Sequence, residues 1–162
     1  MAPLAEEAAR RVLDAARAKA VRIATAESCT GGLVAGALTA IPGSSDVVEA
    51  GIVTYSNAAK TALLGVPAEV IGRHGAVSAQ TARAMAEGAL ARTEAGLSVA
   101  VTGIAGPDGG TPDKPVGLVY FATAMAGAET LLHRETFHEM DRAGVREASV
   151  AMALELLLDR LA

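Results

Sequence analysis

Four aromatic residues, Tyr55, Tyr120, Phe121 and Phe137, are all that the 162-residue chain contains, beside one cysteine and no tryptophan. So few rings cannot build a platform on which successive bases stack. The lone Cys29 excludes an internal disulfide, so nothing points to an oxidising compartment. Charge of one sign is also sparse in any one place: 14 basic and 18 acidic residues give a net charge of −4, without a block of either. That speaks against broad electrostatic attachment to nucleic acid or to anionic membranes. Long apolar runs are missing as well. The longest weakly polar stretch, Val116 to Ala128, contains Gly117 and Gly127 and falls short of the roughly 20 residues a spanning helix needs. The N-terminus, "MAPLAEEAARR", carries acids and bases where a signal peptide needs an apolar stretch. The expectation is a cytoplasmic protein with one domain over residues 1–162.

What is present is an ordinary globular composition, 51% hydrophobic and 20% charged, long enough to bury about 70% of the unfolded chain's surface. Leu4, Ala8, Val12 and Ala16 recur every four residues, which predicts an amphipathic helix over 3–19. "VRIATA" (21–26) reads as a strand, "GGLVAGALTAI" (31–41) as a helix, and "AGIVTYS" (50–56) as a second strand. Asn57 is placed to cap a helix beginning at Ala58, and Ser78 to cap a longer one bearing Ala82, Met85, Ala86, Ala89 and Leu90. "LSVAVTG" (97–103) is the most strand-like segment of all. Two further strands, 116–125 and 129–137, predict a hairpin, and a last helix runs from about Asp141.

Strands alternating with helices, then a hairpin, predict a mostly parallel sheet with one antiparallel strand and helices on both faces. Ligands bind such sheets outside the carboxyl ends of the parallel strands. Three segments leave strands there: the turn in "TAESCTGG" (25–32), "TYSNAAK" (54–60) and "TGIAGP" (102–107).

Each segment carries chemistry and a plainer alternative. Ser28 precedes a helix whose free N–H groups could stabilise an oxyanion, and Gly31 and Gly32 would admit a substrate close to the backbone. Equally, Ser28 or Thr30 could simply cap that helix. Cys29 competes as nucleophile, although cysteine is commonly a buried packing residue. Neighbours in an extended turn point in different directions, so one of Ser28 and Cys29 should face the cleft and the other the core.

For a base, none of His74, His133 and His138 belongs to a strand-end loop of the predicted parallel set. Lys60, in the first turn of its helix, offers an amine that the helix dipole and partial burial would push toward the neutral form. Tyr55 could relay its proton or orient Ser28. A solvated surface lysine is the alternative. The glycines of "TGIAGP" permit successive N–H groups to face an anion or carbonyl, though the segment is neither a P-loop nor a dinucleotide fingerprint. "HRETFHEMD" (133–141) gathers His133, His138, Glu139 and Asp141 in a spacing that matches no standard metal site.

Taken together, "TAESCTGGLVAGALTAIPGSS", "GIVTYSNAAKTALLGV", "HGAVSAQTARAMAEGAL", "VAVTGIAGPDGG" and "KPVGLVYF" closely resemble the CinA C-terminal family. This is the nicotinamide-nucleotide amidohydrolase, or nicotinamide mononucleotide deamidase, family. The resemblance implies a three-layer α/β/α domain with a mixed, mostly parallel five-stranded sheet, here in stand-alone form. It implies hydrolysis of the carboxamide of nicotinamide mononucleotide to nicotinate mononucleotide and ammonia, with no metal or organic cofactor. It makes Ser28 the nucleophile and Tyr55 and Lys60 its activating groups.

The substrate contacts that follow are Thr30, Gly31, Gly32, Thr102, Gly103, Ala105 and Gly106, with the oxyanion held by N–H groups of Thr30 to Gly32 or of Thr102 and Gly103. Arg142 and Arg146 are the candidates for phosphate. The family's pattern of phenylalanine, any residue, glycine, acid or amide, then arginine is broken in "FHEMDRAGVR" (137–146), which lacks the glycine and is a residue longer. A homodimer is expected by the same resemblance. Two other readings stay open: a nucleotide-binding module without catalysis, and an amidase for a different carboxamide.

Overall fold

The structure is a computed structural model that describes residues 3–162, the side chain of Leu4 excepted. The first two residues of the expected domain, and the Leu4 side chain expected on the first helix's apolar stripe, lie outside the described residues.

The chain begins with α1 (Pro3–Ala18), whose Val12, Leu13 and Ala16 are buried. It continues through β1 (Ile23–Glu27), α2 (Leu33–Thr39), β2 (Val48–Val53), α3 (Asn57–Leu64), α4 (Ala68–His74) and α5 (Ala79–Arg92). Then come β3 (Leu97–Gly103), β4 (Leu118–Met125), β5 (Leu131–Thr136) and α6 (Arg142–Leu161). The five strands form one sheet in the order β2-β1-β3-β4-β5. β1 pairs in parallel with β2 and β3, β4 runs antiparallel to β3, and β5 antiparallel to β4. Four strands thus share a direction and β4 alone opposes them, as the alternation of elements predicts.

Strand periodicity divides the core. On one face Ile23, Leu97, Val99, Val101, Val119 and Phe121 pack under α1, α2 and α6. On the other, Ala24, Ala26, Ala100, Ala122 and Ala124 lie under α5, whose Met85, Ala86 and Ala89 are fully buried. Alanines on that face let α5 approach the sheet closely, and Gly88 lets α3 approach α5: a Cβ at Gly88 would collide with the Leu64 carbonyl.

Several boundaries differ from expectation. Ser56, not Asn57, caps α3, its hydroxyl accepting from the Ala59 N–H at 3.1 Å; both types cap well, and the extended backbone falls on Ser56. The helix after "TAESCTGG" begins only at Leu33, because Gly31 (φ 58°) and Gly32 (φ 105°) sit in the left-handed region. α4, seven residues after Pro67, is an element that the sequence pattern did not predict. The C-terminal edge also gathers a fourth segment. β5 points the same way as β1, so the connection 137–141 delivers the start of α6 to the same edge as the three strand-end segments. His138 therefore does belong to a strand-end connection, contrary to expectation, but its side chain is exposed.

Candidate active site

At that edge a cleft of about 270 Å³ is lined by Ser28, Tyr55, Asn57, Lys60, Ala76, Val77, Thr102–Gly106, Asp108 and Arg142, among others. Ser28 follows β1 on the side-chain face shared with Ala24 and Ala26, toward α3 and α5. Cys29 faces the opposite way, into the core beneath α1, α2 and α6. Burial pushes its thiol pKa up to about 11. Cys29 thus packs in the core, as expected for one of the pair, although the residue also borders the cleft beside Ser28.

Lys60 is the centre of the site. It is 1% exposed, and its Nζ donates to the Ser28 hydroxyl at 3.1 Å and to the Thr54 carbonyl at 2.8 Å. Burial is the main influence on its pKa and lowers it from the ordinary value near 10.5. Among the described residues no carboxylate pairs with Lys60. An amine desolvated without a counter-ion favours its neutral form, and a neutral amine beside a hydroxyl can take that hydroxyl's proton.

Tyr55 does not join this pair. Its side chain is 60% exposed, and its hydroxyl accepts from Arg142 Nη2 at 2.6 Å rather than touching Ser28 or Lys60. Following β2 by two residues, it stands at the cleft mouth, where Arg142, the first residue of α6, also reaches the Gly106 carbonyl at 2.8 Å. Arg142 therefore ties two walls of the cleft together.

The turn's backbone is used differently from expectation. Neither Ser28 nor Thr30 caps α2. Glu27, fully buried in β1, accepts from the N–H groups of Val34 (2.9 Å) and Ala35 (3.0 Å) and from the Thr25 hydroxyl (3.2 Å). A carboxylate from the preceding strand thus occupies the helix end that could have served an oxyanion. Gly31 N–H is engaged too, donating to the Ser28 carbonyl at 3.0 Å. The N–H groups of Cys29, Thr30 and Gly32 have no partner among the described residues. Contrary to expectation, Thr30, Gly31 and Gly32 do not line the cleft, and Thr30 is fully buried.

Thr102, Gly103, Ala105 and Gly106 all line the cleft. The Thr102 hydroxyl donates to the Ala76 carbonyl at 2.8 Å. Ser28 N–H bonds the Val101 carbonyl while Ile104 pairs with Leu118 on the β4 side. By strand alternation the Gly103 N–H turns toward Ser28 and the Thr102 N–H away from it. Gly103 also admits no side chain: a Cβ there would lie 2.7 Å from Val119 Cγ2 and 2.9 Å from the Leu118 carbonyl.

Arg146 stands apart from the cleft lining and serves the turn instead, bonding the carbonyls of Cys29 and Thr30. In the segment with metal-like composition, His133 pairs with Glu135 at 3.0 Å and Asp141 caps α6 through the Gly144 N–H. Glu139, two residues after Phe137 where the family pattern has glycine, takes a left-handed φ of 57°. Glu139 thus holds a backbone conformation that favours glycine.

The profile of the CinA C-terminal domain matches residues 5–161. The chain belongs to the CinA C-terminal domain family. A CinA-like protein of Mycolicibacterium gilvum is 57% identical over 135 residues, covering 83% of this chain and 32% of that protein. One from Akkermansia muciniphila is 52% identical over 139 residues, covering 86% and 33%. The chain thus spans about a third of the length of the curated relatives it matches. The crystal structure of competence/damage inducible protein CihA from Agrobacterium tumefaciens superposes with a TM-score of 0.96 at 50% identity, over 98% of this chain and 96% of that one. The competence or damage-inducible protein from Enterobacter asburiae gives 0.90 at 35% identity, covering 98% of each. Among the described residues no helix is long and apolar enough to cross a membrane.

Proposed function

We propose that this domain is an amidohydrolase that converts nicotinamide mononucleotide to nicotinate mononucleotide and ammonia, with Ser28 as nucleophile and Lys60 as its base. The observation that carries the reading is the buried contact of 3.1 Å between Lys60 Nζ and Ser28 Oγ, with no carboxylate among the described residues paired with the amine. The substrate assignment follows from the family resemblance.

The reaction uses groups already in contact. Lys60 takes the Ser28 proton as the oxygen attacks the carboxamide carbon, giving a tetrahedral oxyanion. The C–N bond breaks, the proton on Lys60 passes to the leaving nitrogen, and ammonia departs. Water then adds to the acyl-serine, giving up a proton to Lys60. Collapse releases the nicotinate carboxyl group and returns the proton to Ser28. Gly103 N–H and Cys29 N–H, unpartnered among the described residues and on residues that line the cleft, are the donors we assign to the oxyanion. Tyr55 is assigned to the cleft mouth rather than to proton transfer, because its hydroxyl meets Arg142. Arg142, exposed at that mouth, is the cation we assign to the phosphate.

The test is ammonia release from nicotinamide mononucleotide, with formation of the acid product. Wild-type protein should turn over, and Ser28→Ala should lose activity by on the order of 10³-fold or more. Calorimetric binding of the nucleotide without ammonia would replace this reading with that of a non-catalytic nucleotide-binding module. Release from other carboxamides alone would move the substrate.

A further inference from the structure

Asp108 is the one carboxylate, and Arg142 the one exposed cation, among the described residues that line the cleft. Asp108 comes two residues after Gly106, whose carbonyl Arg142 holds at 2.8 Å. On its other flank the Thr111 N–H closes on the Lys114 carbonyl at 2.8 Å, and Lys114 Nζ reaches the His74 carbonyl at 2.7 Å. The loop that presents Asp108 is therefore anchored on both sides of it.

An aspartate behind a proline in a glycine-rich turn ordinarily spends its carboxylate on a nearby backbone N–H. Here it makes neither a hydrogen bond nor an ion pair among the described residues, and Arg142 gives its guanidinium to Gly106 and Tyr55 instead. A free carboxylate on the wall of a cleft that takes a phosphate repels that phosphate, unless another part of the ligand is positive. Nicotinamide mononucleotide has such a part. Its ring nitrogen bonds the sugar and carries a positive charge, and the ring bears the carboxamide that Ser28 attacks. A cleft of about 270 Å³ has dimensions close to the screening length at physiological salt, about 8 Å, so charges on wall and ligand interact across it.

We propose that Asp108 is a specificity-determining residue that selects nucleotides whose ring is a cation. The proposal rests on the amidohydrolase reading and narrows its substrate class to a pyridinium bearing a ribose phosphate, over the same nucleotide with a neutral, reduced ring. Arg142 meets the anionic end of the ligand and Asp108 its cationic ring. The product, whose new carboxylate offsets the charge of the ring, loses that attraction.

The experiment measures, by calorimetry, binding of nicotinamide mononucleotide and of its reduced, dihydropyridine form. The two share sugar, phosphate and carboxamide and differ in ring charge. Ser28→Ala protein is used so that neither ligand is consumed, and Asp108→Asn is compared on that background. Asp108→Asn should weaken the oxidised form about fivefold, the effect of one screened charge at this range, and leave the reduced form unchanged or slightly tighter. In otherwise wild-type protein the same change should lower kcat/KM for ammonia release by a similar factor, and Asp108→Glu should keep the preference. Equal weakening of both forms would overturn the proposal and assign the carboxylate to the ribose hydroxyls. Equal tightening would also overturn it, leaving only repulsion of phosphate, and no change in either form would do so outright. If the nucleotide binds but wild-type protein releases no ammonia, the amidohydrolase reading fails while the two affinities still decide the role of Asp108. If neither form binds, both fall.

Discussion

Lys60 Nζ stands 3.1 Å from Ser28 Oγ, and its other contact is the Thr54 carbonyl at 2.8 Å. One fully buried amine is thus held by two neutral oxygens. The arrangement favours the base form of lysine at the expense of stability.

That expense is measurable. The folded pKa of Lys60 is lowered from the ordinary 10.5, so between the two values the unfolded chain binds more protons than the folded one. Stability therefore rises with pH through that window, and the destabilisation is fully present below the folded pKa. Lys60→Met should raise stability at neutral pH by about 1 kcal/mol or more while abolishing turnover. The gain should shrink as pH approaches 10.5. Thermal melts of both proteins across pH check this; a gain independent of pH would contradict it.

Cys29 should be inert. With its thiol pushed up to about 11 from 9.0, the thiolate fraction at pH 8 is about 100-fold below that of an ordinary cysteine. Alkylation of the native protein by iodoacetamide should be slower by at least that factor and become fast on unfolding. Rapid native alkylation that also blocks activity would reopen Cys29 as the nucleophile.

Glu27 anchors α2 to β1 beside the nucleophile. Glu27→Ala would leave the Val34 and Ala35 N–H groups and the Thr25 hydroxyl without their acceptor, a loss of roughly 2–4 kcal/mol. Chemical denaturation measures it. A change below about 0.5 kcal/mol would show that water satisfies those donors equally well.

Glu139 holds a left-handed φ of 57° in an exposed connection. Glu139→Gly relieves that conformation while adding freedom to the unfolded chain, so the net gain should be about 0.5 kcal/mol. A melting temperature that falls would mean that the Glu139 side chain contributes more than its backbone strain.

Much of this was legible in the sequence, and the exceptions share a cause. Ser28 and Lys60 could be placed at one edge because glycines and a helix start follow their strands directly. Glu27 could not, since a strand carboxylate reaching over to cap the next helix leaves no mark in local spacing. Arg142 and Arg146 were visible as residues, but their different tasks depend on β5 running parallel to β1 and on where α6 then begins. Tyr55 fell in the right loop, while its direction was set by Arg142, 87 residues away. Ser56 and Asn57 are both good caps, and only the backbone decided between them.

The chain has three lysines, Lys19, Lys60 and Lys114, so lysine labelled with ¹³C and ¹⁵N gives three side-chain signals to follow against pH by NMR. The Lys60 signal, identified as the one absent from Lys60→Met, should lose its proton clearly below the ordinary 10.5 and at the pH where kcat/KM rises. A Lys60 signal that keeps its proton up to the ordinary 10.5 would contradict the assignment of Lys60 as the base for Ser28.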